Sequence, residues 1–157
     1  MRVLIGVSVL SLFLAAGPAQ AGPAQVEVFV GDDLADQADE YGQRDLDLLT
    51  ERLDREVETA LARSGLYEDA RIRLVIEDVR PNRPTFEQLR RRPGLSLESH
   101  GIGGADISGE VVTADGQTVP ITFRWYESDI RFAGLTTWSD ANQAFSRFAR
   151  RLAEGRF

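Results

Sequence analysis

The chain contains no cysteine and no lysine, and only one histidine, His100. Without cysteine, this chain offers no thiol nucleophile, no disulfide and no sulfur ligand for zinc. Without lysine, Schiff-base chemistry, a serine–lysine dyad and a P-loop lysine are excluded. A single imidazole cannot build a two-histidine metal site. All 18 basic side chains are therefore arginine, against 25 acidic ones, for a net charge of -7. That sign argues against nucleic acid and anionic lipid as default partners, since both are polyanions.

Long apolar runs are also scarce. The one present, Val3 to Ala16, follows the positive start Met1-Arg2 and precedes the helix-breaking Gly17-Pro18 and the small-x-small site Ala19-Gln20-Ala21. This pattern reads as a secretory signal peptide over 1–21, cleaved after Ala21. The run is shorter than the roughly 20 residues of a membrane-spanning helix. The expectation is a periplasmic or secreted protein with no transmembrane segment after signal removal. Residues 22–157 would then form a single α+β domain, long enough for its own core.

Two hydrophobic periods run through that domain. Val26, Val28 and Val30 alternate in a first strand, and Ile72, Leu74 and Ile76 in a second. Between them, Leu46, Leu49, Leu53, Val57 and Leu61 recur at helical spacing from Gln43 to Ser64. Gly65 suits the position past that helix, with Leu66 folding back in a Schellman cap. Thr85 and Gln88 form a capping box for a short helix stopped by Pro93-Gly94. Trp138, Ala141, Phe145, Phe148 and Leu152 draw a last helical stripe, with Thr137 to Asp140 as its capping box. The implied class is two-layer α+β: a small, mainly antiparallel sheet covered by two long amphipathic helices.

The stretch 105–125 predicts a hairpin whose loop length follows from side-chain parity. A two-residue turn at Asp115-Gly116 would set Ile107 opposite Arg124 and mix apolar with polar residues on one face. A three-residue loop, Ala114 to Gly116, sets Val111 opposite Val119, Ile107 opposite Phe123 and Ala105 opposite Trp125. Burial selects the second, because a one-residue slip flips every side chain.

Few residues suggest chemistry. The acidic stretch from Asp32 to Glu40 could attract Ca²⁺, or simply be a solvated surface. Gly101-Ile102-Gly103-Gly104 could cradle a phosphate, but it runs into a strand rather than a helix, which suits close backbone packing. His100 with Ser99, Ser108 or Ser128 and Asp106 could make a hydrolytic triad, yet no nucleophile elbow is present. Arg90, Arg91 and Arg92, with Arg83 nearby, form the densest positive patch. Their forked guanidinium groups suit carboxylates or phosphates, and they could equally pair with the acidic stretch 32–40. Trp125 and Trp138 lie in phase with core positions, whereas Tyr126 is expected outside. The irregular segment from Pro81 to Gly104 is where a partner surface is expected first.

Gly103-Gly104-Ala105, Thr137-Trp138-Ser139-Asp140-Ala141, Ala144-Phe145, Phe148-Ala149 and Leu152 together give a likeness. In these residues the second half resembles an uncharacterised bacterial cell-envelope protein family, often lipoproteins, described as a domain of unknown function. This chain departs from the lipoprotein pattern in having no lipobox cysteine. The resemblance implies export and fold, and carries no activity. The combined expectation is an exported, non-enzymatic envelope protein without cofactor or metal. It would bind a protein partner, with Arg83, Arg90, Arg91, Arg92 and His100 as candidate contacts. The alternative is a periplasmic carrier for an anionic small molecule, lipid or glycan.

Overall fold

A computed structural model describes residues 21–157; apart from Ala21, the leader expected over 1–21 lies outside the described residues. Strands β1 (Gln25–Val30), β2 (Arg71–Arg80), β3 (Gly104–Val112) and β4 (Thr118–Tyr126) form one sheet in the order β1-β2-β3-β4. The helices are α1 (Asp32–Ala35), α2 (Ala38–Tyr41), α3 (Gln43–Ser64), α4 (Phe86–Arg91) and α5 (Ser139–Ala153), with a 3-10 turn at Ile130–Phe132. The class is α+β. No helix among the described residues is long and apolar enough to cross a membrane.

The sheet is mixed: β2, β3 and β4 pair antiparallel, as expected, but β1 pairs parallel to β2. The reason lies in α3. Its 22 residues span roughly 33 Å and carry the chain back along the sheet, so β2 starts beside the start of β1, with Gln25 opposite Arg71. The acidic stretch folds as the short helices α1 and α2.

One sheet face takes the helices. Leu46, Leu49, Leu53, Val57 and Leu61 of α3, and Ala141, Phe145, Phe148 and Leu152 of α5, are buried against Ile72, Leu74, Ile76, Val79, Ile107 and Ile121. A register shift in β2 between Ile76 and Asp78 changes the strand's parity, which returns Val79 to the core. On the opposite face Arg71, Arg73, Glu110, Thr122 and Arg124 meet solvent.

The hairpin follows the parity argument: Val111 pairs with Val119, Ile107 with Phe123 and Ala105 with Trp125. The Thr113 N–H donates to the Gln117 carbonyl at 2.9 Å, and Gly116 takes φ +84°. A side chain at Gly116 would be strained in that conformation. Inward bonds at Gln117 and Glu127 fix the alternation along β4, which places Pro120 where an N–H would face away from the sheet. Proline is tolerated at such an edge.

Two caps differ from expectation. Past α3, Gly65 donates to the Leu61 carbonyl at 3.0 Å, but the Leu66 N–H goes to Ser64 Oγ at 3.1 Å, so the cap is the single-bond left-handed form. The Schellman pattern closes α5 instead, with Arg156 N–H to Arg151 O at 3.1 Å and Gly155 N–H to Leu152 O at 2.9 Å. At α4 the capping box is present: Gln88 N–H donates to Thr85 Oγ1 at 3.2 Å, and Thr85 N–H to Gln88 Oε1 at 3.1 Å.

One carboxylate in α3 is poorly placed. Asp54 Oδ1 is buried without a hydrogen-bond partner among the described residues. Burial, and then the Glu58 charge, raise its pKa above the ordinary 3.8. The folded chain therefore holds this proton more tightly than the unfolded chain. The associated stability is present below the unfolded pKa and is lost as pH rises through the folded one. Asp54→Asn is expected to raise the melting temperature at neutral pH and leave it unchanged at about pH 3, below both values. Thermal melts of both proteins at the two pH values check this.

Candidate partner-binding surface

Two irregular connections, 81–103 and 127–138, meet at the end of the sheet where β2 and β4 finish and α5 begins. Irregular backbone keeps a single shape only when its polar groups find partners. Here the partners come from two buried polar side chains, Asn82 and Asp140, 1 % and 2 % exposed. Asp140 Oδ2 accepts from Asn82 Nδ2 at 2.5 Å and from the Gly103 N–H at 2.9 Å, and Asp140 Oδ1 accepts from the Gly134 N–H at 2.9 Å. The Asp140 N–H donates to Asn82 Oδ1 at 2.9 Å. Asn82 also holds Gly101 and Thr137 through backbone bonds of 2.8 and 2.7 Å. Asp140 thus ties both loops to the first turn of α5, where the helix dipole also favours its charge.

This corrects the expected capping box at 137–140. The residue before α5 is Trp138, and it makes no side-chain cap. Its ring stands edge-on to Tyr41 with centroids 5.7 Å apart, and Nε1 donates to Asp45 at 3.3 Å. Gly103 is required by space: a Cβ there would lie 2.6 Å from the Arg80 carbonyl oxygen. Gly103 and Gly104 therefore serve close backbone packing, whereas Gly101 faces open space.

The expected arginine contacts are mostly engaged within the chain. Arg83 Nε donates to the Leu135 carbonyl at 2.6 Å and its Nη1 to the Leu97 carbonyl at 2.8 Å, bridging the two loops. Arg90 pairs with Glu87 at 2.9 Å, Arg91 with Asp39 at 3.8 Å and Arg92 with Glu40 at 2.5 Å. Gln88 Nε2 adds a bond to Glu40 at 3.0 Å. The arginine patch and the acidic stretch face each other as α4 against α2. Such exposed pairs are individually weak, of order 0–1 kcal/mol, but they neutralise the patch.

His100 is exposed, beside a hollow of about 220 Å³ that Asn82, Arg92 and Ser99 also line. Three of the groups considered with it are engaged elsewhere: Ser99 Oγ accepts from the Ser96 N–H, Ser108 donates to Glu77, and Asp106 pairs with Arg124. Tyr126 is half-buried rather than exposed, and its hydroxyl donates to Asp78 at 2.6 Å. Burial, and then that bond, raise its pKa. The Arg80 guanidinium lies 4.6 Å from its ring centroid.

The feature that sequence periodicity missed is apolar. Phe86, Leu97, Ile102, Ile130, Phe132 and Leu135 are all exposed, and all lie on these two connections, Phe86 at the start of α4. Phe86 is 80 % exposed, Phe132 72 % and Leu135 74 %. Phe86, Leu89, Leu97 and Trp138 share a hollow of about 190 Å³. Large apolar side chains on tightly bonded loops mark interaction surfaces, because water gives no reason to hold them there. No family model matches this chain, and no curated protein does.

Proposed function

We propose that the protein is an exported, non-enzymatic component of the bacterial cell envelope. It binds a protein partner with the loop end that carries Phe86, Leu97, Phe132 and Leu135. The leader pattern over 1–21 supports export, and the family likeness supports the envelope. The observation that carries the binding reading is the concentration of exposed apolar side chains on loops locked by Asn82, Asp140 and Arg83. A pre-ordered loop loses little entropy on docking, so its apolar area is available for affinity. In this reading the arginines shape the surface, and Arg83 holds its two halves together.

The test is a four-site variant, Phe86→Ser, Leu97→Ser, Phe132→Ser and Leu135→Ser. A photo-crosslinker at Ile130 in living cells first identifies the partner, and affinity is then measured with the purified pair. Buried apolar anchors each contribute about 1–2 kcal/mol, so the variant is expected to bind on the order of 100-fold more weakly or worse, with an unchanged melting curve. Arg90/Arg91/Arg92→Ala is expected to change affinity much less. Equal affinity of wild type and the four-serine variant would contradict the proposal.

One observation favours the anionic-ligand alternative. A groove of about 680 Å³ runs outside the core between α3 and α5, lined by Arg52, Arg55, Arg63 and Arg150. Two of these already pair, Arg52 with Glu56 and Arg55 with Glu51.

A further inference from the structure

The sheet has two outer edges, and they differ. Along β4, Pro120 removes one outward donor. Along β1, Gln25 N–H donates to Ala70 O at 2.8 Å and Gly31 N–H to Ile76 O at 2.9 Å. The alternation between these bonds turns the N–H and C=O groups of Val26, Val28 and Val30 away from the sheet. Among the described residues no strand pairs with that edge. Its six residues contain no proline and no basic side chain, which are common means of blocking an edge.

Two hollows flank the segment 22–24 that leads into this strand. On the helix side, one of about 510 Å³ is lined by Ala24, Leu61 and Leu66 together with Glu58 and Glu68, and by no basic residue among those described. On the other face, one of about 730 Å³ is lined by Glu27, Asp69 and Arg71. Successive side chains of a strand point to opposite faces, so a strand that pairs with β1 and runs on past Ala24 would direct its side chains to the two hollows alternately. The carboxylates outnumber the cations on both sides.

We propose that the β1 edge receives an extended segment of a partner protein by strand addition, and that this segment carries basic side chains at alternate positions, facing Glu58 and Glu68. A second copy of this chain fits less well. Its own β1, Gln25–Val30, offers no basic side chain to meet these carboxylates. The proposal does not depend on the loop end, which lies at the opposite end of β2.

The test uses the full chain, labelled with ¹⁵N, and end-blocked eight-residue peptides. The first alternates valine and arginine, the second alternates valine and glutamate, and the third is the first with alternate amides N-methylated. The arginine peptide is expected to bind and to slow amide exchange at Val26, Val28 and Val30 at least tenfold, leaving Thr122 and Arg124 on β4 unchanged. The glutamate peptide is expected to bind at least tenfold more weakly, and the N-methylated peptide not to bind. Val28→Pro, which removes an outward N–H along with a half-buried valine side chain, should weaken the arginine peptide at least tenfold. Glu58→Gln with Glu68→Gln should narrow the gap between the arginine and glutamate peptides. Undiminished binding of the N-methylated peptide would overturn the proposal, even if Val28→Pro fails to fold. So would protection confined to other amides, or protection of Val26 to Val30 by self-association of the chain alone.

Discussion

Replacing Asp140 with alanine is expected to lower the unfolding free energy by about 3–5 kcal/mol. Three donors would lose their acceptor at once: Asn82 Nδ2, the Gly103 N–H and the Gly134 N–H. Each buried donor left unpaired costs about 1–3 kcal/mol, and partial hydration of the Gly134 side keeps the total below the full sum. Asn82→Ala is expected to cost somewhat less, since it leaves both Asp140 oxygens one donor each. Asp140→Asn should not rescue the site, because its amide nitrogen would face one of these donors. The Asn82/Asp140 pair shares one network, so the double variant should cost clearly less than the two single losses added together. Urea unfolding of the wild type and these four variants measures all of these terms.

Phe148→Ala is expected to cost about 3–5 kcal/mol, and Phe132→Ala within about 0.5 kcal/mol of nothing. Phe148 is fully buried on α5, with the Phe123 ring centroid 5.7 Å away and that of Phe157 5.5 Å away. Truncating it removes the transfer free energy of the ring and leaves a cavity that the sheet beneath cannot fill. Phe132 is equally large but faces water, so its loss removes nothing from the core. A similar loss of stability for both variants would mean that the loop end is packed rather than presented. Denaturant midpoints at equal slope separate the two outcomes.

The contrast between these two phenylalanines shows what was legible in the sequence. Phe148 sits in a 3.6-residue stripe with Phe145 and Leu152, and periodicity alone assigns it to the core. The hairpin register was also legible, because parity allowed only the three-residue loop. Phe86, Phe132 and Leu135 belong to no stripe, so nothing local separates an exposed anchor from a buried one there. The parallel pairing of β1 with β2 was hidden for another reason. Both strands alternate in the same way whichever direction they pair, and only the length of α3 decides.

The polar residues divide in the same way. The Thr85–Gln88 capping box closes within four residues, and its sequence spacing was enough. The same spacing at Thr137–Asp140 misled, because Asp140 is claimed by Asn82, 58 residues away in sequence. The arginine patch was visible as charge, while its neutralisation by Asp39 and Glu40 depends on α2 and α4 meeting in space. The candidate site is therefore built mainly from long-range contacts, and the candidate residues drawn from charge alone fall at its margin.

Amide hydrogen exchange at Gly103 and Gly134 tests the account most directly, because both N–H groups lie in irregular backbone and donate to Asp140 alone. If Asn82 and Asp140 lock the loop end into one shape, both amides should exchange as slowly as those of Ile107 and Val111 in β3. Exchange at the rate of an unstructured peptide, with β3 still protected, would show loops that are free in solution, and the pre-ordered docking surface would not exist.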